Sequence, residues 1–257
     1  MKIEKFTPSF ALTPFIREFM IIESELGTSN KIIPDTTLVM AFRYRGTVKK
    51  MDGEKKEAIA SSVITGLRRS ANHFVYSKKT ANVLVVFKEG GIAAFSRIPA
   101  HEFFGQSIPA ENLFPSAELN EISERLAEAK TSKSRIDSID AFLLKKLVAS
   151  RPDPLIGNAI QLIRQHNGII GIKDLAASLY LSQDPFEKRF RARVGASPKQ
   201  YASIIRLRTL IRNYPSYTSL TEASYEAGYF DQSHFIKDFR LFTGQAPKDF
   251  FQSPQHW

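Results

Sequence analysis

The C-terminal part of the chain contains a repeat, because two segments match when one is shifted 49 positions along the other. Phe186 and Phe190 of the first copy recur as Phe235 and Phe239 of the second. Copies at a fixed spacing indicate that one supersecondary unit occurs twice and packs on its neighbours. The remaining matched pairs are Gln183 and Gln232, Lys188 and Lys237, Arg191 and Arg240, Gly195 and Gly244, Pro198 and Pro247, Lys199 and Lys248, and Tyr201 and Phe250.

Each copy has the pattern of a capped helix. The two aromatic residues at positions i and i+4 place one face of a helix against a core. Ser182 and Asp231, which correspond to each other, are residue types that cap helix N-termini. The matched glycines stand where the helix ends, and the matched prolines stand where a following helix can begin.

A shorter amphipathic segment precedes each copy, at 172–179 and at 220–227. A short helix, a tight turn and a capped second helix together form a helix-turn-helix. We therefore predict two such units, at about 172–194 and 220–243. The segment 199–214, apolar along one face, is predicted to be a long helix that joins them.

The repeat resembles the DNA-binding domain of the AraC family, also called AraC/XylS, of transcriptional regulators. The resemblance covers roughly residues 155–250 and is strongest in the run Gly228–Arg240 followed by Gly244, Gln245, Ala246 and Pro247. It implies that both second helices enter successive major-groove segments on one face of the duplex, about 10 bp apart. It also implies a sequence-specific regulator rather than an enzyme, whose partner is double-stranded DNA at an operator or promoter.

The resemblance, carried over position by position, assigns the residues that would contact DNA. Gln232 suits bidentate recognition of adenine, and Lys188 or Lys237 suits guanine. The residues expected to face the bases are Asp184, Glu187, Lys188, Gln232, Ser233, Ile236 and Lys237. Those expected at the phosphates are Ser182, Arg189, Arg191, Arg193 and Arg240.

The chain departs from the family pattern at several positions of the two units. Tyr180 stands where the first unit usually has Gly, and Ser224 stands where the second usually has a packed Ala. Asp184 and Glu187 place two carboxylates near the expected phosphates, with Pro185 in the first helical turn, where proline is tolerated.

The first 150 residues have the pattern of an α+β domain, with mostly antiparallel strands followed by helices. The charged segment 49–56, which contains Asp52 and Gly53, is predicted to be an exposed hairpin tip. Ser116 and Ser132 are expected to cap the last two helices. Strands are predicted at 15–23, 37–44, 62–67, 74–77 and 82–87, and helices at 92–96, 99–104, 116–130 and 132–149.

A boundary between two domains is predicted at Arg151–Pro154, where two prolines occur within three residues. The predicted organisation is therefore a regulatory, sensor or oligomerisation domain at 1–150 and an all-helical DNA-binding domain at 151–257.

The first domain resembles a poorly characterised domain of some AraC regulators. The similar residues are Ile33–Asp35, Val86–Phe95 and Ile98–Glu102. This resemblance implies sensing or oligomerisation without naming a ligand. It leaves open a small-molecule effector, a homodimer and, for an activator, RNA polymerase as partners.

The net charge of +10 and the pI near 9.7 favour an anionic partner. Nucleic acid and membrane surfaces both satisfy this condition. The excess is not localised, since residues 1–150 hold 22 Lys and Arg against 17 Asp and Glu, and 151–257 hold 14 against 9.

Other features of the sequence bear on compartment and cofactors. The chain has no Cys, its first residues lack a secretory pattern, and apolar runs such as Val83–Phe87 are too short for a membrane span. We predict a cytoplasmic, nucleoid-associated protein with no membrane partner. The five His residues lack metal-ligand spacing, so no metal and no cofactor are expected.

Two other function classes are compatible with this sequence. The N-terminal part could be an enzyme acting on a small molecule, with the repeat as its DNA-targeting module, although no acid, base and nucleophile pattern supports this. The protein could also be an architectural DNA binder, which would bind random and selected duplexes alike.

Overall fold

A computed structural model describes residues 1–148, 151–214, 217 and 219–252. The N-terminal domain consists of two antiparallel sheets followed by helices, and the C-terminal domain is helical. The strands are β1 (Lys2–Phe6), β2 (Ile16–Ser24), β3 (Thr28–Ile32), β4 (Val39–Arg45), β5 (Val48–Asp52), β6 (Lys55–Ala58), β7 (Ser62–Thr65), β8 (Asn72–Tyr76), β9 (Thr80–Phe87) and β10 (Ser107–Pro109).

The six-stranded sheet has the order β1-β2-β9-β4-β7-β10, and the four-stranded sheet has the order β3-β8-β5-β6. Strand β9 lies inside the larger sheet and is buried on both faces except at Leu84. Its run of Val residues suits a strand that packs on both sides. Pairing brings Val85 opposite Phe19 of β2 and Met40 of β4, so the centre of the sheet is apolar.

The α-helices are α1 (Ser116–Glu128) and α2 (Ser132–Lys146) in the N-terminal domain. The C-terminal helices are α3 (Pro154–Gln165), α4 (Ile172–Ser178), α5 (Gln183–Val194), α6 (Pro198–Asn213), α7 (Leu220–Glu226), α8 (Gln232–Thr243) and α9 (Pro247–Gln252). Among the described residues, no helix is both long enough and apolar enough to span a bilayer.

Most of the expected elements of the N-terminal domain are confirmed. The five predicted strands correspond to β2, β4, β7, β8 and β9, and the segment predicted as a hairpin tip, 49–56, is a hairpin that consists mostly of β5 and β6 themselves. Strands β1, β3 and β10 were not predicted, because they are short and carry few β-branched or aromatic residues. The predicted helices at 92–96 and 99–104 are single 3-10 turns, at Gly91–Ala94 and Ala100–Phe103.

The two expected N-caps in this domain are wrong by one residue. Pro115 precedes α1 without a side-chain cap, and Thr131 caps α2 by accepting from the Ser134 amide. Ser116 and Ser132 are instead the first helical residues, and the Ser132 hydroxyl donates to Glu4. Helix α2 ends at Lys146, and Ala149, the predicted end, lies outside the described residues.

One continuous apolar core connects the two domains. It extends from Leu12 and Phe19 under the larger sheet to Phe186 and Phe235 in the C-terminal helices. At the expected boundary, the Asp153 side chain caps α3 by accepting from the Leu155 and Ile156 amides, and Pro154 occupies the first helical position. The prolines therefore begin a helix that packs against the N-terminal domain rather than forming a free linker.

Candidate nucleic-acid interface

The second helices of the two units, α5 and α8, are built alike. Each has 12 residues and ends at a glycine in the left-handed conformation, Gly195 at φ 95° and Gly244 at φ 72°. A proline then begins the next helix, at Pro198 for α6 and at Pro247 for α9. The expected ends of both helices and the long helix between the units are confirmed.

The aromatic pairs hold α5 and α8 in the same way. The rings of Phe186 and Phe190 lie 5.8 Å apart at 62°, and those of Phe235 and Phe239 lie 5.5 Å apart at 60°. All four residues are fully buried. Because the buried face is the same in both helices, the same positions of the repeat are left for the solvent side.

The turns between the helices also correspond, although the second is one residue longer. The Leu181 amide donates to the Ala176 carbonyl at 3.0 Å, and the Tyr229 amide donates to the Ser224 carbonyl at 3.0 Å. This bond pattern needs a left-handed residue just before the donor, a position filled by Tyr180 at φ 57° and by Gly228 at φ 72°. The unusual tyrosine thus adopts the conformation that glycine adopts in the second unit.

The N-terminal ends of α5 and α8 differ in how they are capped. Asp231 accepts a 2.7 Å hydrogen bond from the His234 amide, so it caps α8 as expected. Ser182 occupies the corresponding position of α5 but makes no side-chain cap bond. The Ser182 hydroxyl therefore has no capping contact that would compete with a ligand.

All but one of the residues expected to face bases lie on the solvent side of the two helices, the exception being Ile236, which packs against the apolar core. Glu187 and Ile236 are half-buried, and Glu187 accepts a 2.8 Å hydrogen bond from Gln183. Neither lysine of this set forms an ion pair with any residue that the structure describes. The exposed members are Asp184, Lys188, Gln232, Ser233 and Lys237.

The four arginines expected at phosphates fall into two groups. Arg191 and Arg240 are exposed and have no carboxylate partner among the described residues. Arg189 instead donates two hydrogen bonds to Asp153, from Nε at 2.8 Å and from Nη2 at 2.9 Å. Arg193 Nε lies 3.9 Å from the same carboxylate.

Asp153, the N-cap of α3, faces Arg189 and Arg193 of α5, and its side chain is almost fully buried. Burial by itself raises the pKa of Asp153, but the hydrogen bonds from Arg189 and the Ile156 amide, with the charges of Arg189 and Arg193, reverse this effect. The net result is a pKa below the ordinary value. Asp153 is therefore ionised at neutral pH and fixes α5 to the start of α3.

Helix α6 is fixed to the second unit by a polar cluster. Arg206 lies 3.5 Å from the Asp238 carboxylate, and its guanidinium carbon lies 4.2 Å from the centre of the Tyr229 ring. The Tyr229 hydroxyl donates to the same Asp238 oxygen at 3.3 Å. Burial, together with the Asp238 charge, raises the pKa of Tyr229, so its hydroxyl remains a donor at neutral pH.

The N-terminal domain contacts helices α3 and α6 through the carboxylate of Glu89, whose side chain is largely buried. Glu89 follows β9, and its Oε1 accepts from Thr36 Oγ1 at 2.9 Å, from Tyr201 Oη at 3.2 Å and from Arg164. Arg164 Nε also donates to the Tyr201 hydroxyl at 3.3 Å. These four residues, the Glu89 cluster, join two loops of the N-terminal domain to α3 and α6.

Further contacts fix the N-terminal domain against α6 and the C-terminal ends of α5 and α8. Arg208 of α6 donates to the Pro34 carbonyl at 3.1 Å and lies 3.7 Å from Asp35. A Cβ at Gly195 would lie 3.0 Å from the Ala100 carbonyl. A Cβ at Gly244 would lie 2.7 Å from Lys31 Nζ.

These contacts give a role to segments whose function the sequence left open. Ile33–Asp35, Val86–Phe95 and Ile98–Glu102, which carried the N-terminal resemblance, contain Asp35, Glu89 and Ala100 at the domain interface. Sequence reasoning did not assign them to an interface, because their partners in α3, α5 and α6 lie far away along the chain. The one feature of the sequence that could have pointed to an interface at these segments is their set of polar and glycine residues at the ends of apolar strands.

The two units and the attached sheet domain define a helix-turn-helix DNA-binding protein with a second, N-terminal domain. A helix-turn-helix domain family matches residues 175–253, and a domain of unknown function, DUF6597, matches residues 4–109. The helix-turn-helix family is of the AraC type. Residues 175–253 are therefore an AraC-type helix-turn-helix domain, and it follows an N-terminal DUF6597 domain.

Several solved structures are similar to this chain. ToxT from Vibrio cholerae O395, bound to a naphthalenyl butenoic acid, has a TM-score of 0.47 and 14% identity over 90% of this chain and 96% of ToxT. Wild-type ToxT with an unsaturated fatty acid bound has a TM-score of 0.45 and 15% identity over 97% and 96%. The C-terminal domain of AraT from Geobacillus stearothermophilus has a TM-score of 0.39 and 21% identity over 42% and 92%. No curated protein matches the sequence.

Proposed function

We propose that this regulator recognises a specific DNA sequence by inserting α5 and α8 into successive major-groove segments. The observation that carries the proposal is the matched geometry of the two units. Their C-terminal ends meet the N-terminal domain, whereas their N-terminal ends carry exposed polar residues. Each helix is about 18 Å long, so its free end stands well away from that contact.

The proposal gives each side chain a role. Gln232 recognises adenine, Lys188 and Lys237 recognise guanine, and the remaining base-facing positions are Asp184, Glu187, Ser233 and Ile236. Arg191, Arg240 and Ser182 bind phosphates in the conformation described. Arg189 and Arg193 bind phosphates while remaining near Asp153, since a guanidinium has five N–H donors.

We also propose that the N-terminal domain controls how the two units are oriented. The Glu89 cluster and the Arg208 contacts connect it to α3 and α6, and through α6 to the second unit. A small-molecule effector or a second copy of the chain that moved these contacts would alter DNA binding. RNA polymerase is a partner if the protein activates transcription.

The proposal also includes the division of the chain and its location. The domains divide near residue 150, and the protein acts in the cytoplasm at the nucleoid. Neither domain has an enzymatic role.

Selection of bound duplexes from a random library tests the proposal with the full chain. We expect two conserved half-sites about 10 bp apart, and the selected duplex should bind about a thousandfold more tightly than random DNA at fixed salt. The variant Lys237→Ala should relax the preference at one base-pair position. Lys248→Ala, a basic residue of α9 outside both recognition helices, is the matched control and should leave the preference unchanged.

Equal affinity for selected and random duplexes would refute sequence recognition and favour an architectural role. An unchanged sequence preference in Lys237→Ala would refute the assignment of α8, while leaving recognition by α5 to be tested with Lys188→Ala.

A further inference from the structure

Phe230 is a large apolar side chain that the fold leaves in water. Its residue is 94% exposed, and its ring contacts no other ring in the described part of the chain. It lies immediately before Asp231, the residue that caps α8. A phenyl group left in water forgoes the stabilisation that burial would give it, and this one lies beside the proposed base-facing end of α8.

The usual role of an apolar residue at this position is already taken by a neighbour. A residue just before an N-cap commonly packs against the fourth residue of the helix, which in α8 is Phe235. Here Tyr229 covers Phe235, with the ring centres 5.3 Å apart, and Tyr229 is only 3% exposed. Phe230 is therefore not needed to fix the entry into α8.

In the first unit, which has the shorter turn, the residue just before the N-cap is placed differently. Leu181 directly precedes Ser182, and it is half-buried and packed against the core. In the second unit the extra turn residue lets Tyr229 take the buried place and moves Phe230 outward. Exposure of the residue just before the N-cap is thus a consequence of the longer turn, and it is absent from the first unit, where Leu181 is half-buried.

The surroundings of Phe230 indicate what could cover the ring. Gln232 and Ser233, the first residues of α8, are exposed at the same end of the helix and belong to the proposed base-facing set. A ring at the groove-facing end of a recognition helix meets one apolar group on the base edges, the C5-methyl of thymine.

We infer that Phe230 determines specificity by packing against a thymine methyl group beside the bases contacted by α8. The inference rests on the proposed function, because it requires α8 to enter the major groove. It adds a residue outside both recognition helices to those that recognise sequence, and it predicts a preference for thymine at one position of the second half-site.

The test uses the full chain and the duplex recovered by selection, in which each thymine is replaced in turn by deoxyuridine to remove only the methyl group. For the wild type, one replacement in the second half-site should lower the affinity about fourfold, the equivalent of one buried methyl group. The variant Phe230→Ser should bind the thymine duplex roughly tenfold more weakly and should not respond to that replacement. Phe230→Leu should keep the response.

Phe10 provides a matched control, since it is a phenylalanine of the same 94% exposure in the N-terminal domain. Phe10→Ser should bind and respond to deoxyuridine as the wild type does. Both serine variants should unfold at the wild-type denaturant concentration, because neither ring is buried.

Wild-type affinity in Phe230→Ser would overturn the inference. A loss of affinity in Phe230→Ser that is the same for every deoxyuridine duplex would overturn the thymine assignment, because the ring would then contact the sugar backbone. If the wild type itself does not distinguish selected from random duplexes, the proposed function fails; if it does and only the Phe230 response is missing, the inference alone fails.

Discussion

The hydroxyl of Tyr201, at the start of the helix between the two units, donates to the carboxylate of Glu89, just after β9 of the six-stranded sheet. Tyr201 is fully buried, and the Glu89 side chain is 13% exposed. Burial, with the neighbouring Glu89 charge, raises the pKa of Tyr201, so the hydroxyl keeps its proton at neutral pH. The two domains are therefore joined by a buried polar contact as well as by the shared core.

Removing this contact should destabilise the protein. The variant Tyr201→Phe leaves the Glu89 carboxylate without one of its three donors, and we expect the free energy of unfolding to fall by about 1–2 kcal/mol. Glu89→Gln should lower the free energy of unfolding by the same amount or more, because Arg164 loses its charge partner. Denaturant titration measures the free energy of unfolding of both variants. The double variant should lose less stability than the sum of the losses in the two single variants. Additive losses would show that Tyr201 and Glu89 act separately.

Asp153 should make stability depend on pH in the acidic range. Its pKa is lowered in the folded protein, so its contribution is complete above the unfolded pKa of about 3.9 and is lost as the pH falls through the lower, folded value. Asp153→Asn keeps an N-cap but loses the charge, and it should be destabilised by about 1–2 kcal/mol at pH 7. Thermal unfolding from pH 7 to pH 3 should show this difference shrinking below about pH 4. A difference that is constant with pH would contradict the ionic role.

Tyr180 should be a site where glycine stabilises the fold. A left-handed backbone costs a residue with a Cβ about 1–2 kcal/mol, and replacing Tyr180 by glycine removes this cost. Part of the resulting stabilisation is offset, because glycine loses more backbone entropy on folding. Since the side chain is 97% exposed, Tyr180→Gly should raise the free energy of unfolding by about 0.5–1 kcal/mol. Gly228→Ala should lower it by at least 1 kcal/mol, because the new Cβ would lie 3.1 Å from Ile169 Cγ2 at φ 72°. Equal stability of Tyr180→Gly and the wild type would argue against strain.

Arg240 should contribute to affinity without contributing to sequence preference. It is exposed on α8 and unpaired among the described residues, and it is proposed to bind a phosphate. Arg240→Ala should weaken binding to selected and random duplexes by the same factor and reduce the slope of log affinity against log salt by about 1. Arg125→Ala, in α1, is an exposed control that should change neither quantity. A change of preferred sequence in Arg240→Ala would place Arg240 at a base.

The repeat could be recognised from sequence because its determinants are local. The i, i+4 aromatic pairs and the glycine that ends each second helix depend only on helix periodicity and backbone conformation. The placement of α5 and α8 within a residue or two follows from these features. The exposure of Phe230 could not be foreseen, because it depends on whether Tyr229 or Phe230 packs on Phe235, a choice made by the length of the turn.

The sequence by itself determined the two helix-turn-helix units, their ends and the order of strands before helices, because these depend on residues within a few turns of one another. Only the tertiary structure decided that Arg189 faces Asp153, that Glu89 meets Arg164 and Tyr201, and that the N-terminal domain contacts the ends of α5 and α8. These contacts join residues 36 to 213 positions apart, and folding brings such residues together through packing of apolar surfaces that specify no individual partner.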